Sequence, residues 1–262
     1  MTKYLFILFF ALSIAVEAQI NFLGKPGLIM TPGTDWVEEE QLGVTYAVIP
    51  WEYALFRNTS KNNTTHFYSV RAGFTSFMEV NFSIAYRPDL ADKIGVGDRQ
   101  LDFRFKLLKE KRYQPAIVLG LSVPGSTSPV MHHDYLVVSK NFDTGFGNLK
   151  TNIGYGSPYV IRKAPGEANF FQSLVLDKKE DLGLNYLSGF FGGLRYMPVS
   201  FGGLMIEYDT RTWNMGAFVK IWDRFYAQVF NYEASSSWGF NFSAQFPLDL
   251  KPKSLRDARS NN

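Results

Sequence analysis

Two short runs hold residue types that chemistry uses. His132, His133 and Asp134 stand together as a set that could ligate a metal or move protons, and Ser126, Thr127 and Ser128 offer hydroxyls just before them. Either chemistry needs a second group brought to the first. Successive strand residues point to opposite faces, and no further His or Cys group lies nearby, so the histidines read as a loop-edge pair rather than a metal centre. Nothing in the sequence sets a base against the hydroxyls of Ser126, Thr127 or Ser128. No catalytic residue, metal ligand or cofactor is therefore assigned.

The charged residues are more informative. In "QLDFRFKL", Gln100 to Leu107, Leu101, Phe103 and Phe105 alternate with Asp102, Arg104 and Lys106. As a strand this segment has one aromatic face and one ionic face. A soluble sandwich would turn the charges to water, whereas a membrane barrel would turn the aromatics to lipid and the charges to its lumen. Comparable segments begin at Leu42, Phe67, Met78, Ala116, Tyr135, Asn148, Gly189, Phe201, Trp213, Phe225 and Trp238. Together they predict about twelve strands of about 8 to 10 residues, the length that crosses a bilayer when tilted.

The connections alternate in length. The stretches Pro50 to Thr65, Pro88 to Asp98, Pro124 to Asp134 and Ser157 to Ser188 are long, and Thr210 to Thr212 and Glu233 to Ser237 fall on the same side. Opposite them lie Thr75 to Phe77, Lys109 to Gln114, Asp143 to Gly147, Pro198 to Ser200 and Trp222 to Arg224. Long loops on one side and short turns on the other, with both termini beside the short turns, match an outer-membrane barrel. Moreover, the apolar registers Met78 to Tyr86, Leu101 to Leu107, Ile117 to Val123, Trp213 to Ile221 and Trp238 to Phe246 hold no ionisable group, as a lipid face requires. The expected fold is an all-β, antiparallel transmembrane barrel, with a soluble sandwich as the alternative.

Composition agrees. The 262 residues include 24 Phe, 14 Tyr and 5 Trp, yet mean hydropathy is slightly negative, as alternation produces. A net charge of +3 is too small to suggest nucleic-acid binding. With no Cys, disulfides and thiolate metal sites are excluded. The stretch "MTKYLFILFFALSIAVEA" has a basic start, an apolar run and small residues at Val16 and Ala18, so residues 1–18 read as a signal peptide cleaved before Gln19. Residues 19–40, rich in Gly and Pro, read as a periplasmic entry segment, 41–246 as the barrel and 247–262 as a polar tail. The sequons at Asn58, Asn62 and Asn63 read as a solvated outer loop, and Ser157 to Ser188 as an outer cap in which Phe170 and Phe171 pack inward.

Assigning the non-lipid register to the lumen collects Arg71, Arg87, Arg104, Lys106, Lys150, Arg195 and Lys220 against Glu79, Asp102 and Glu207. The excess is positive. Two readings stay open: these charges pair and plug the lumen, or they form a cationic passage for an acidic polymer.

From Gly95 to Pro158 the chain resembles the YjbH-type family of outer-membrane proteins linked to exopolysaccharide production. The resemblance lies in a G-x-D before a strand ending "FKLL", then "RYQPAIVLGL", a Gly-Ser-Thr turn, "YLVVSK" and a Gly-rich strand. The opening "GKPGLIMTP", Gly24 to Pro32, is similar to the family's N-terminal signature. In the turn after "LGL" this chain has "SVPGSTS", where the family pattern carries an acidic residue and paired glycines, and the chain is the length of a one-barrel version. The resemblance implies an outer-membrane component of exopolysaccharide export or surface assembly. Its expected partners are membrane lipid, an acidic polysaccharide and periplasmic export proteins, with no nucleic acid. A plugged structural or adaptor barrel and an outer-membrane lipid or glycan hydrolase are the alternatives.

Overall fold

The computed structural model describes residues 19–36, 41–50, 64–88, 97–124, 129–164, 173–184, 186–222, 224–233 and 237–247. Residues 1–18, expected to be a signal peptide, the expected polar tail beyond 247, the sequon loop, Ser126, Thr127, Ser128, Phe170 and Phe171 lie outside the described residues.

Twelve strands close into an antiparallel barrel. In chain order they are β1 (Gln41–Ile49), β2 (Thr65–Thr75), β3 (Met78–Tyr86), β4 (Asp98–Leu108), β5 (Ala116–Ser122), β6 (Tyr135–Asp143) and β7 (Asn148–Gly156). After a separate hairpin of β8 (Tyr159–Lys163) and β9 (Leu174–Lys178) come β10 (Gly189–Val199), β11 (Gly202–Tyr208), β12 (Trp213–Ile221), β13 (Phe225–Tyr232) and β14 (Trp238–Pro247). Each barrel strand pairs with its chain neighbour except at two places: β7 pairs β10 across the hairpin, and β1 pairs β14 to close the wall. Closure leaves no unpaired edge, which is what a sheet in lipid requires.

Alternation sets the two faces. Along β3, Glu79, Asn81, Ser83 and Ala85 are buried, while Met78, Val80, Phe82, Ile84 and Tyr86 are not. The opening stretch follows the same rule in β4: Gln100, Asp102 and Arg104 point into the barrel, and Leu101, Phe103 and Phe105 form its outer surface. The outer face of β14 presents Trp238, Phe240, Phe242 and Phe246. Large apolar side chains exposed all round a closed wall have lipid as their natural solvent. Among the described residues no helix is long and apolar enough to cross a membrane.

The interior departs from the sequence expectation in two ways. Residues 19–36, expected in the periplasm, lie inside the barrel, where Gln19 to Asp35 are buried throughout. This segment folds back on itself through the bridges Ile20↔Pro26 and Gly27↔Pro32. It has no repeating polarity because every side of it meets the wall. Gly24 shows the constraint: its φ is +81°, and a Cβ there would lie 2.4 Å from Cβ of Ser69. Only glycine turns the chain that tightly against β2.

The second departure is that the lumen is not uniformly polar. Toward the long-loop end, Ala47, Ile49, Phe67, Val137, Phe191, Phe230 and Tyr232 of the wall surround Phe22, Leu23, Leu28, Ile29 and Met30 of the inner segment in one apolar cluster. The Phe22 and Phe67 rings meet edge to face at 4.9 Å. Each of the buried Val, Leu, Ile, Phe and Met side chains among them contributes about 1.5–3 kcal/mol. The barrel is thus a shell filled by its own N-terminal segment, with an apolar half and an ionic half.

Candidate functional site in the barrel lumen

The inner segment is held by polar groups from strands all round the wall. Glu207 of β11 is the strongest anchor. Its carboxylate accepts the backbone N–H groups of Ile29 (3.1 Å), Met30 (2.7 Å) and Thr31 (3.1 Å), together with the Thr31 hydroxyl (2.8 Å). Three consecutive N–H groups around one buried carboxylate fix both backbone path and register. Gln228 of β13 and Asn241 of β14 each donate to the Ile20 carbonyl at 2.7 Å, and Ser83 and Asn81 of β3 donate to that of Leu23. Arg71 reaches the Gly24 carbonyl at 3.3 Å, and the Tyr186 hydroxyl donates to that of Met30 at 3.0 Å.

The charges form three buried groups. Lys25 pairs with Asp102 and also donates to Nε2 of His133. Arg104 pairs with Glu79, its direct partner in register between β3 and β4. Asp35 pairs with both Lys150 and Arg195. Of the residues assigned to the lumen from sequence, Arg71, Glu79, Asp102, Arg104, Lys150, Arg195 and Glu207 are therefore buried and in contact with one another or with the inner segment. Arg87 lies just past the end of β3 at the long-loop side and is half-buried. Lys106 and Lys220 lie half-buried toward the short turns, and Lys106 Nζ sits 4.7 Å from the centre of the Trp36 ring. The positive excess seen in sequence is largely met by Asp35, a residue sequence reasoning had placed outside the barrel.

The histidines stand at the edge of the loop before β6, as expected, but they face inward. Both are buried: His133 Nδ1 donates to the Met131 carbonyl at 2.6 Å, and its ring stacks on Tyr135 with centroids 5.7 Å apart. Burial, reinforced by the Lys25 ammonium, pushes the His133 imidazole well below its ordinary pKa, so it stays neutral and accepts from Lys25. His132 lies 3.3 Å from a carboxylate oxygen of Asp134. Burial would raise the Asp134 carboxyl, but His132 and the Ser122 N–H hold it below its usual value. Ser122 donates to Asp102 at 2.7 Å and accepts the His133 N–H at 2.9 Å. The cluster thus pins the loop before β6 to the inner segment. Among the described residues no group of three His, Cys, Asp or Glu could hold a metal ion.

Residues missed from sequence are those of the plug: Lys25, Thr31 and Asp35. The unmatched cations on the wall were the one available signal that a carboxylate had to come from elsewhere.

The fold and its filled lumen define an outer-membrane β-barrel with an internal N-terminal plug. The chain belongs to the YjbH family, described as exopolysaccharide biosynthesis protein YbjH, whose model matches residues 19–261. No curated protein matches it. Among solved structures it is similar to an outer membrane channel from Pseudomonas putida F1, at 13% identity and a TM-score of 0.42, over 82% of this chain and 99% of that one. It is also similar to the NanC porin, at 9% identity and a TM-score of 0.39, over 80% of this chain and 99% of that one.

Proposed function

We propose that the protein is a component of exopolysaccharide export or surface assembly in the outer membrane, and that residues 19–36 hold its lumen shut at rest. The observation that carries this reading is the burial of Gln19 to Asp35 inside the wall, anchored by Glu207 and by the Asp35 ion pairs. An open pore has no need of such a fitted insert. The leader is removed before Gln19, the long loops face the medium, and the short-turn end meets periplasmic export proteins. The polymer is acidic and passes when the plug withdraws.

Planar-bilayer recordings test closure. The intact chain is expected to stay non-conducting for most of the record, and a variant lacking residues 19–36 to conduct steadily. Equal steady conductance from both would remove the plug from the account. The same close fit favours a second reading, in which the barrel never opens and acts as a platform. A reducible bis-thiol cross-link between Lys25→Cys and Asp102→Cys, positions whose side chains pair across plug and wall in a chain with no native Cys, separates the two. Cross-linking should stop polymer export and reduction restore it if the plug moves; unaffected export would favour the platform.

A further inference from the structure

Asp35 occupies a place that the wall builds for an anion. Lys150 and Arg195 are direct partners in register between β7 and β10, so two cations stand side by side on a rigid sheet. Like charges facing each other across strands repel unless an anion bridges them. Asp35 supplies that bridge: Arg195 Nη1 donates to its Oδ2 at 2.9 Å, and Lys150 Nζ donates to its Oδ1. Arg104 closes the group from β4, with Nη2 donating to the carbonyls of Gly33 at 2.8 Å and Asp35 at 3.1 Å. The buried Nε atoms of Arg104 and Arg195 have no hydrogen-bond partner, so the site holds donor capacity that Asp35 does not use.

The surroundings hold both signs. Arg71 lies close to Arg104 on the lumen wall, Glu79 pairs with Arg104, and Glu110 lies close enough to act on Lys150. Once residues 33–36 leave, Lys150 and Arg195 lose the carboxylate that bridges them. The guanidinium fork and the ammonium are the groups that recognise carboxylates.

We propose that Lys150, Arg195 and Arg104 form a binding site for the carboxylate of an acidic sugar, and that Asp35 is its internal stand-in. Polymer and plug then compete for the same cations, and arrival of the polymer from the short-turn side releases the plug. This rests on the reading that residues 19–36 close the lumen.

Calorimetric titration of the full chain in detergent tests it, with trigalacturonate as probe and maltotriose and citrate as controls. Asp35→Asn should bind trigalacturonate at least tenfold more tightly than the unaltered chain, with neither protein binding maltotriose. Adding Arg195→Gln to Asp35→Asn should return the affinity to the starting value. Unchanged affinity in folded Asp35→Asn, or equal affinity for maltotriose or citrate, would overturn the proposal. Should Asp35→Asn fail to fold, Thr34→Cys reports on the otherwise native chain, since Thr34 is buried and the protein has no Cys. Trigalacturonate should speed its labelling by an impermeant maleimide at least fivefold and maltotriose should not; no acceleration refutes the site. A non-conducting intact barrel that binds no carboxylate would refute this site and leave the closure reading standing.

Discussion

Glu207 and Lys179 show what single buried charges do here. Glu207→Gln keeps the shape but turns an amide N–H₂ toward backbone N–H groups that now donate to a carboxylate. Charge-assisted hydrogen bonds are worth about 1.5–3 kcal/mol each, so a loss of about 3 kcal/mol in plug seating is expected. In bilayer recordings this should raise the open-to-closed ratio roughly a hundredfold. Lys179 lies in the loop after β9, buried, with Nζ donating to the Tyr186 carbonyl at 3.2 Å. Burial lowers its pKa to about 8, with Asp134 pulling the other way. The unfolded chain therefore binds more protons between about pH 8 and the ordinary lysine value, and stability should rise with pH there, by at most about 1.4 kcal/mol per pH unit. Thermal melts from pH 7 to 10 should show this rise, and Lys179→Met should flatten it. At this scale the wall charges were legible because alternation assigns them to one face. Their partners Lys25 and Asp35 were not, because the segment carrying them has no period to read.

The strands were the most legible elements. All twelve barrel strands follow segments visible in the sequence, since lipid on one side and a packed lumen on the other enforce alternation of period two. The β8–β9 hairpin was missed: it stands outside the barrel wall, and the burial patterns of both strands lack that alternation. Two added strands preserve parity, so β10 still enters the wall in the expected direction. The two faces of β4 give a direct test. Phe103, stacked on Phe105 at 6.3 Å, belongs to the lipid face, and Phe103→Arg should cost about 2–4 kcal/mol and reduce the heat-modifiable folded fraction on gels. Asp102→Asn should insert as the unaltered chain does yet loosen the plug, because Asp102 pairs with Lys25 and accepts from Ser122. Equal loss of folded barrel in both variants would contradict the face assignment.

For the whole molecule the first question is orientation. With the long loops outside, a cysteine at Lys178, in β9, should react with an impermeant thiol reagent on intact cells. A cysteine at Ser200, in the short turn between β10 and β11, should react only after the outer membrane is permeabilised. The reverse pattern would mean the barrel is inserted the other way up. The carbonyl of Ile20 bears on how the molecule is made. It receives its two hydrogen bonds from Gln228 and Asn241, 208 and 221 residues further along the chain. The insert precedes every strand of its receptor in the chain, yet that receptor is complete only when β14 joins β1. Until then Phe22, Leu23, Ile29 and Met30 have no cavity to enter, and contacts so distant in sequence form slowly. Until the wall closes, the segment destined to be the most sheltered part of the protein is therefore exposed and sticky, in need of a chaperone's protection.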